Sequence, residues 1–306
     1  MKGLKMSKAI VLIASLMVFS GATWASNARK IALGNPAHYC DVQNVVVDPS
    51  VLYCLGDQIQ FEFGETAKTT KQAETEKNTV PNNEGTLIQS FAGGKLGFSV
   101  GRHSEDINNV RNTLNLAFLD LTADKPFLPT ENSLSLVYAT KAGELVWGLG
   151  LYMSSSDIKS TKQKQSTQIV TLGLDAPVWY FNARLPLTYD ATGFYSTTSS
   201  LVELKSKPGM TMTGGYKLTP SQRVFVDVTG GAGKLSVAGT EMLDLTIAKT
   251  TLGFSNQFFN KEGTNAYYQL AYEMEKKTQK ATTTTETTVT KLPFLMGIET
   301  EATPWM

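Results

Sequence analysis

The chain has 306 residues, and its 28 basic and 27 acidic residues leave a formal net charge of +1. This balance gives no electrostatic footprint for nucleic acid, so we expect no nucleic-acid partner. Charged residues are only 18% of the chain, whereas an average soluble domain has about 25%. A protein whose outer face meets lipid needs fewer charges, which fits this deficit.

Residues 1–25 have the pattern of a secretory signal peptide. Three lysines precede an apolar run over residues 9–19, and Thr23 and Ala25 occupy the small-residue positions of a cleavage site. The apolar run is too short to span a membrane comfortably as a helix. The sequence therefore predicts export from the cytoplasm.

Residues 26–56 do not alternate cleanly and contain both cysteines, Cys40 and Cys54. In an oxidising compartment a disulfide between them would close a loop of about fifteen residues and stabilise it by roughly 3 kcal/mol. Two free thiols or a metal site are the alternatives, but only His38 and Asp41 are near as further ligands. We expect a disulfide in a compact segment that precedes the strands.

From residue 57 onwards apolar and polar residues alternate with a period of two, which indicates β-strands. Predicted strands cover residues 58–63, 95–102, 113–118, 167–174, 178–187, 202–205, 210–218, 222–229, 243–254, 266–276 and 292–301. In the strand over 243–254 the phase shifts near Lys249, which predicts a β-bulge. We expect polar loops over residues 66–84, 154–166 and 277–290, and short turns at residues 141–144, 175–177 and 207–209.

The clearest pattern is a hairpin over residues 133–153. Leu136 and Tyr138 lie in the apolar row of its first arm, and Trp147 and Leu149 lie in that of the second. The opposite rows carry small and hydroxyl residues and no charge, unlike the outer face of a soluble sheet. Arms of nine to eleven residues can cross a bilayer at the tilt of a membrane barrel.

These patterns predict an all-β fold: an antiparallel transmembrane β-barrel of about 12–14 strands, spanning residues 57–306. Residues 26–56 would form a short N-terminal plug or periplasmic segment. The three polar loops would face the cell exterior and the short turns the periplasm, because barrels place long loops outside. The expected location is the outer membrane of a Gram-negative bacterium, with membrane lipid as the surrounding partner. The sequence does not predict an oligomeric state.

A further set of charged residues lies in the polar rows of the strands, where we expect them to face the lumen, because Arg or Lys facing lipid costs about 2–4 kcal/mol near the midplane. They are Lys95, Arg184, Glu203, Lys205, Arg223, Asp227, Glu273, Glu275, Glu299 and Glu301. They could line a polar conduit. They could instead pair with one another and fill the lumen.

Two phrases in the N-terminal segment, residues 28–37 with Asn35-Pro36-Ala37 and residues 47–53 with Asp48-Pro49-Ser50, resemble the N-terminal segment of the long-chain fatty-acid transporter family. The resemblance implies a hatch inside a fourteen-strand outer-membrane barrel.

No catalytic, metal or cofactor motif emerges from the sequence. His103 is followed by Ser104, Glu105 and Asp106, but members of a catalytic triad converge in space and are seldom adjacent in sequence. We therefore expect no enzyme activity, no metal and no cofactor. The sequence favours a transporter or channel for small hydrophobic or polar solutes. The alternative is a structural or surface-interaction barrel with a packed lumen and no transport.

Overall fold

The computed structural model describes residues 40–65, 81–101, 133–158, 163–195, 200–219, 221–259, 264–280 and 283–300. Within these ranges thirteen strands form one antiparallel sheet. The strands are β1 (Gln58–Glu65), β2 (Pro81–Phe91), β3 (Gly94–Val100), β4 (Leu134–Ala142), β5 (Leu145–Ile158), β6 (Gln163–Asp175), β7 (Trp179–Tyr195), β8 (Ser200–Lys217), β9 (Gln222–Val237), β10 (Thr240–Phe259), β11 (Thr264–Lys280), β12 (Thr284–Lys291) and β13 (Phe294–Thr300). From β1 to β12 each strand pairs with its neighbour in sequence.

The last two strands act as one wall strand broken at Pro293. β12 pairs with the upper part of β11, where Glu273 faces Lys291, and β13 pairs with the lower part of β11, where Leu270 faces Phe294. Between them the N–H of Ala271 donates to the carbonyl of Pro293 at 3.1 Å. Proline has no N–H to give to a ladder, so the break falls at this residue.

The two faces of the sheet differ in the way that a membrane wall requires. On β9, Val224, Val226 and Val228 are exposed, whereas Phe225 between them is only 9% exposed. On β7 the outward apolar row runs from Trp179 to Leu187, which are exposed at both ends of a nine-residue stretch that starts at the short turn; this length matches the hydrocarbon thickness at barrel tilt. We call this part of each strand the membrane belt. The fold is an antiparallel transmembrane β-barrel, and the predicted strand number is confirmed.

The hairpin predicted over residues 133–153 is present as β4 and β5. Leu136 pairs with Leu151 and Tyr138 with Leu149, so the two apolar rows share one face. The turn between the arms includes Gly143, whose positive φ of 62° suits glycine. In the part of the chain that the structure describes, no helix is both long enough and apolar enough to span a membrane.

Two of the predicted polar loops, over residues 154–166 and 277–290, are largely strand, which corrects the sequence prediction; of the loop predicted over residues 66–84, residues 66–80 lie outside the described residues. β5 continues to Ile158 and β6 begins at Gln163, so only residues 159–162 between them lie outside the described residues. β11 likewise reaches Lys280 and β12 begins at Thr284, while β2 already begins at Pro81. Above the membrane belt both faces of a strand can be polar, so no apolar alternation identifies the strand. The strand predicted over residues 113–118 lies outside the described residues.

The predicted turn at residues 207–209 is wrong, because Pro208 and Gly209 lie inside the single strand β8. The register of β8 against β9 shifts between Lys207 and Met210, which marks an irregularity of the β-bulge kind. A bulge is one of the few places in a sheet that accepts proline.

The predicted bulge near Lys249 is also wrong. Pairing of β10 with β9 is continuous from Leu243 to Asn256, and the register shift lies earlier, between Glu241 and Leu243. The apparent change of phase arises because Leu245 and Ile247 are buried on the concave face, whereas Leu252 is exposed on the outer face. Apolar residues thus occupy opposite faces of one regular strand.

These inward residues belong to an apolar cluster beyond the membrane belt, which we call the upper cluster. Its buried members come from β7, β8, β9 and β10: Tyr189, Ala191, Val202, Leu204, Leu235, Leu243, Leu245 and Ile247. The outer face at this height carries ion pairs instead, such as Lys234 with Glu241 at 2.7 Å. Four strands therefore extend past the hydrocarbon with an apolar inner face and a charged outer face.

Candidate plug and lumen site

Residues 40–57, which we call the plug, fold as two short 3₁₀ turns, Val42–Asn44 and Pro49–Cys54. Aspartates cap both turns: the N–H of Gln43 donates to Asp41 at 2.9 Å, and the N–H of Ser50 donates to Asp48 at 3.0 Å. A disulfide joins the start of the plug to its second turn.

That disulfide links Cys40 to Cys54, with 6.3 Å between their Cα atoms. The predicted pairing is confirmed. It closes the two turns into one loop, and such a cross-link restricts mainly the unfolded chain.

The plug lies against the concave face of one side of the barrel. Its second turn contacts β3, β4, β5 and β6. Its apolar side chains form a cluster with wall residues: Val42, Val45, Val51 and Leu52 pack with Ile88, Val137 and Ala139. Val46 makes a second contact with Tyr152 and Ile169. The sequence folds this way because β4, β5 and β6 present small or apolar residues inward here.

Two glycines let the plug backbone approach the wall. A Cβ added at Gly148 would lie 2.5 Å from the carbonyl carbon of Pro49, and one at Gly173 would lie 2.6 Å from the nitrogen of Ser50. Real Cβ atoms do not approach backbone so closely, so glycine is required at both positions. The expectation that the strand glycines serve close packing therefore agrees with the contacts at Gly148 and Gly173.

Asp48 is the charged centre of this contact. Its side chain is 4% exposed, and it accepts hydrogen bonds from the N–H of Ser50 at 3.0 Å and the hydroxyl of Ser50 at 2.6 Å. The pKa of Asp48 is raised to about 6, mainly by burial and to a smaller extent by the nearby Asp175, against the lowering effect of hydrogen bonds from Ser50 and Asn182. The carboxylate of Asp48 is therefore easier to protonate than one in water.

A row of polar and charged side chains starts at Asn182, beside the plug, and continues around the wall away from it. Following the pairing register from β7 to β12, this row consists of Asn182, Thr213, Asp227, Thr251, Glu273 and Lys291. Lys249 lies two residues before Thr251 on β10, on the same face, and pairs in register with Glu275. We call Asp227, Lys249, Glu273, Glu275 and Lys291 the charged arc.

Ion pairs and hydrogen bonds link members of the arc. The Nζ of Lys249 lies 2.9 Å from Oε2 of Glu273, and the Nζ of Lys291 lies 3.9 Å from the other oxygen of Glu273. The hydroxyl of Thr213 donates to Asp227 at 3.2 Å. Near the arc, the Nε of Arg184 is buried with no hydrogen-bond partner among the described residues.

Most of the predicted lumen residues lie on the concave face. Lys95 pairs with Asp57 at the end of the plug, and the guanidinium of Arg223 lies 5.5 Å from the centre of the Tyr180 ring. By strand alternation Arg184, Asp227, Glu273 and Glu275 also point inward. Glu299 lies in β13, and Glu301 lies outside the described residues.

Two assignments need correction: Glu203 and Lys205 face outward. Val202 and Leu204, which alternate with them on β8, are 0% and 1% exposed and belong to the upper cluster. The outward charges are tolerated because this part of β8 lies beyond the membrane belt, where Lys205 pairs with Glu203 at 3.7 Å. The sequence reasoning applied the cost of a charge in hydrocarbon to a segment that water reaches.

The sequence reasoning also missed Lys249 and Lys291. Lys249, Thr251 and Gly253 alternate along β10 and form one inward row. This row would have identified Lys249 as an inward residue if a bulge had not been predicted there. Across the described ranges, no group of three His, Cys, Asp or Glu side chains is arranged to hold a metal ion.

No family model and no curated protein matches the chain. Among solved structures, it is similar to OmpT, an outer membrane protein of Vibrio cholerae in an in-vitro folded form, with 11% identity and a TM-score of 0.40. That similarity covers 78% of this chain and 74% of the other. At this level the similarity carries no argument about activity. None of these comparisons supports the long-chain fatty-acid transporter family specifically.

Proposed function

We propose that the protein is an outer-membrane barrel of a Gram-negative bacterium that passes small or hydrophobic solutes through its lumen, beside the N-terminal plug. The observation that carries this proposal is that the two sides of the lumen differ in what covers them. The plug is packed against the wall of β3 to β6. The wall of β9 to β12 instead carries the charged arc, whose Lys249 side chain is 35% exposed.

The upper cluster favours a hydrophobic solute as the cargo. Its side chains make the inner face of four strands apolar beyond the membrane belt, and they are only 0–9% exposed because they pack against one another. A wall that faced only water would not need apolar side chains there, and ligand sites in proteins are mostly apolar with a few polar groups.

A structural barrel with a packed lumen is the second candidate, and the plug contact favours it. Pro49 and Ser50 lie so close to Gly148 and Gly173 that no solute fits between plug and wall on that side. The ion pairs of the arc could also serve only to hold the barrel shape. The two candidates differ in whether ions and solutes cross the folded protein.

Planar-bilayer recording on the refolded full-length protein separates them. The transport proposal predicts steady solute-sized conductance steps from samples that show the folded, heat-modifiable gel band. A silent bilayer with a fully folded protein would favour the structural barrel. If the barrel conducts, fatty-acid uptake by a transporter-deficient host that expresses the protein then tests the hydrophobic cargo.

A further inference from the structure

We propose that Lys249, Glu273 and Lys291 set the charge selectivity of a water-filled path for small inorganic ions, which runs between the plug and the wall of β9 to β12. The inference rests on the proposed function, because it requires that the lumen conducts. It names a site, a class of solute and the residues that discriminate between solute charges.

The position of Lys249 indicates water at this point of the lumen. Lys249 lies on the concave face at the edge of the membrane belt of β10, between the outward Leu252 and the level of the outward Lys276, which pairs in register with Ala248. Its side chain nevertheless remains 35% exposed. An ammonium group at this depth must be hydrated or paired, and solvent can reach it only from the lumen side.

Among the described residues, the apolar contacts of the plug lie on the side of β2 to β6. Its second 3₁₀ turn packs against β3 to β6, and its buried residues join clusters with β2, β4, β5 and β6 side chains. Within the described residues, neither plug cluster includes a side chain of β9, β10, β11 or β12. A path beside these strands therefore does not require the disulfide-closed plug to leave the barrel.

The charged arc has three carboxylates and two ammonium groups, so each single neutralisation changes the local field by one unit charge. Glu273 accepts from Lys249 at 2.9 Å and faces Lys291 at 3.9 Å, so its neutralisation leaves two ammonium groups on the path. Neutralisation of Lys249 instead leaves Glu273 and Glu275 less compensated. Low-dielectric walls focus such a field into the aqueous space and change local ion concentrations.

The test is the reversal potential of the refolded protein in a bilayer under a KCl gradient. Glu273→Gln should shift the ratio of chloride to potassium permeability towards chloride, and Lys249→Met should shift it towards potassium. At about 10 Å in water a unit charge changes the local concentration of each ion about twofold, in opposite directions for chloride and potassium, so we expect the ratio to change about fourfold. Lys276→Met is the matched control, because Lys276 lies on the same strand as Glu273 but faces outward and pairs with Glu286; it should leave the ratio unchanged.

The double variant Lys249→Glu with Glu273→Lys distinguishes a change in charge selectivity from a loss of folding. It keeps an ion pair and the net charge, so it should restore the folded gel band and a selectivity near that of the wild type. Folded, conducting single variants with the wild-type reversal potential would overturn the inference and leave the proposed function intact. A wild-type protein that folds but never conducts would instead overturn the proposed function.

Discussion

Asp48→Asn should make the protein more stable at neutral pH, although it removes a charge that accepts two hydrogen bonds. Asparagine can still cap the second turn of the plug, because its side-chain oxygen can accept from the N–H of Ser50. What it removes is the need to hold an ionised carboxylate in a site where the side chain is 4% exposed. The effect should therefore depend on pH.

The magnitude follows from the raised pKa of Asp48, about 6 in the folded protein against an ordinary value of 3.8. A carboxyl with a raised pKa stabilises the fold fully below pH 3.8, and this stabilisation is lost as the pH rises through 6. A shift of about two units corresponds to roughly 3 kcal/mol. Asp48→Asn should thus raise the free energy of unfolding by up to about 3 kcal/mol at pH 7.5, and most of this gain should vanish by pH 4.

The assay is urea unfolding of the barrel refolded in detergent, followed by tryptophan fluorescence at several pH values. Asp57→Asn is the control with the opposite sign, because hydrogen bonds from Lys95 and Ser90 lower the pKa of Asp57 to about 2. That variant should be less stable than the wild type at neutral pH, and the difference should close as the pH falls from 3.8 towards 2. An Asp48→Asn variant that is no more stable at pH 7.5, or whose gain is independent of pH, would refute the reasoning.

Three further predictions concern the wall and the plug. Leu151→Arg should lower the free energy of unfolding in lipid by about 2–4 kcal/mol. Ser155→Arg, on the same outward row but beyond the membrane belt, should lower it by at most about 1 kcal/mol. Equal losses in urea titrations would contradict the assignment of Leu151 to the membrane belt. Gly148→Ala should leave the heat-modifiable band intact but expose the plug to chymotrypsin, which can cleave after Tyr53, because the new methyl group meets the backbone of Pro49; an unchanged digestion pattern would contradict this contact. Cys54→Ser should weaken plug docking by about 3 kcal/mol, the value for a fifteen-residue loop, measured as faster plug proteolysis; wild-type rates would show that the disulfide is dispensable.

The barrel was predictable from the sequence wherever one face of a strand meets lipid. The alternation of Leu149, Leu151 and Met153 with Gly148 and Gly150 identified both strand and faces, because hydrocarbon demands apolar side chains on one side only. That demand ends at the edge of the membrane belt. Beyond it, serines, threonines and lysines occupy both faces, so the extensions of the strands were predicted to be loops. For the same reason Val202 and Leu204, which face inward, were assigned to the outer face.

The candidate site was predictable only in part, because it depends on pairing between distant strands. Glu273 and Asp227 are recognisable as inward charges from their own strands. That Glu273 pairs with Lys249 and faces Lys291 depends on the register of β10, β11 and β12. The contact of Pro49 with Gly148 likewise joins segments about a hundred residues apart, and no local pattern in either segment encodes it.

The central claim is that the valine row of β9 faces lipid while the residues between face the lumen. Single cysteines at positions 224 to 228, spin-labelled in the refolded protein in lipid vesicles, test it through collision with oxygen and with a water-soluble nickel complex. The account predicts high oxygen accessibility at Val224, Val226 and Val228, and low oxygen accessibility at Phe225 and Asp227. Uniform accessibility to the nickel complex along all five positions, without a period of two, would contradict it.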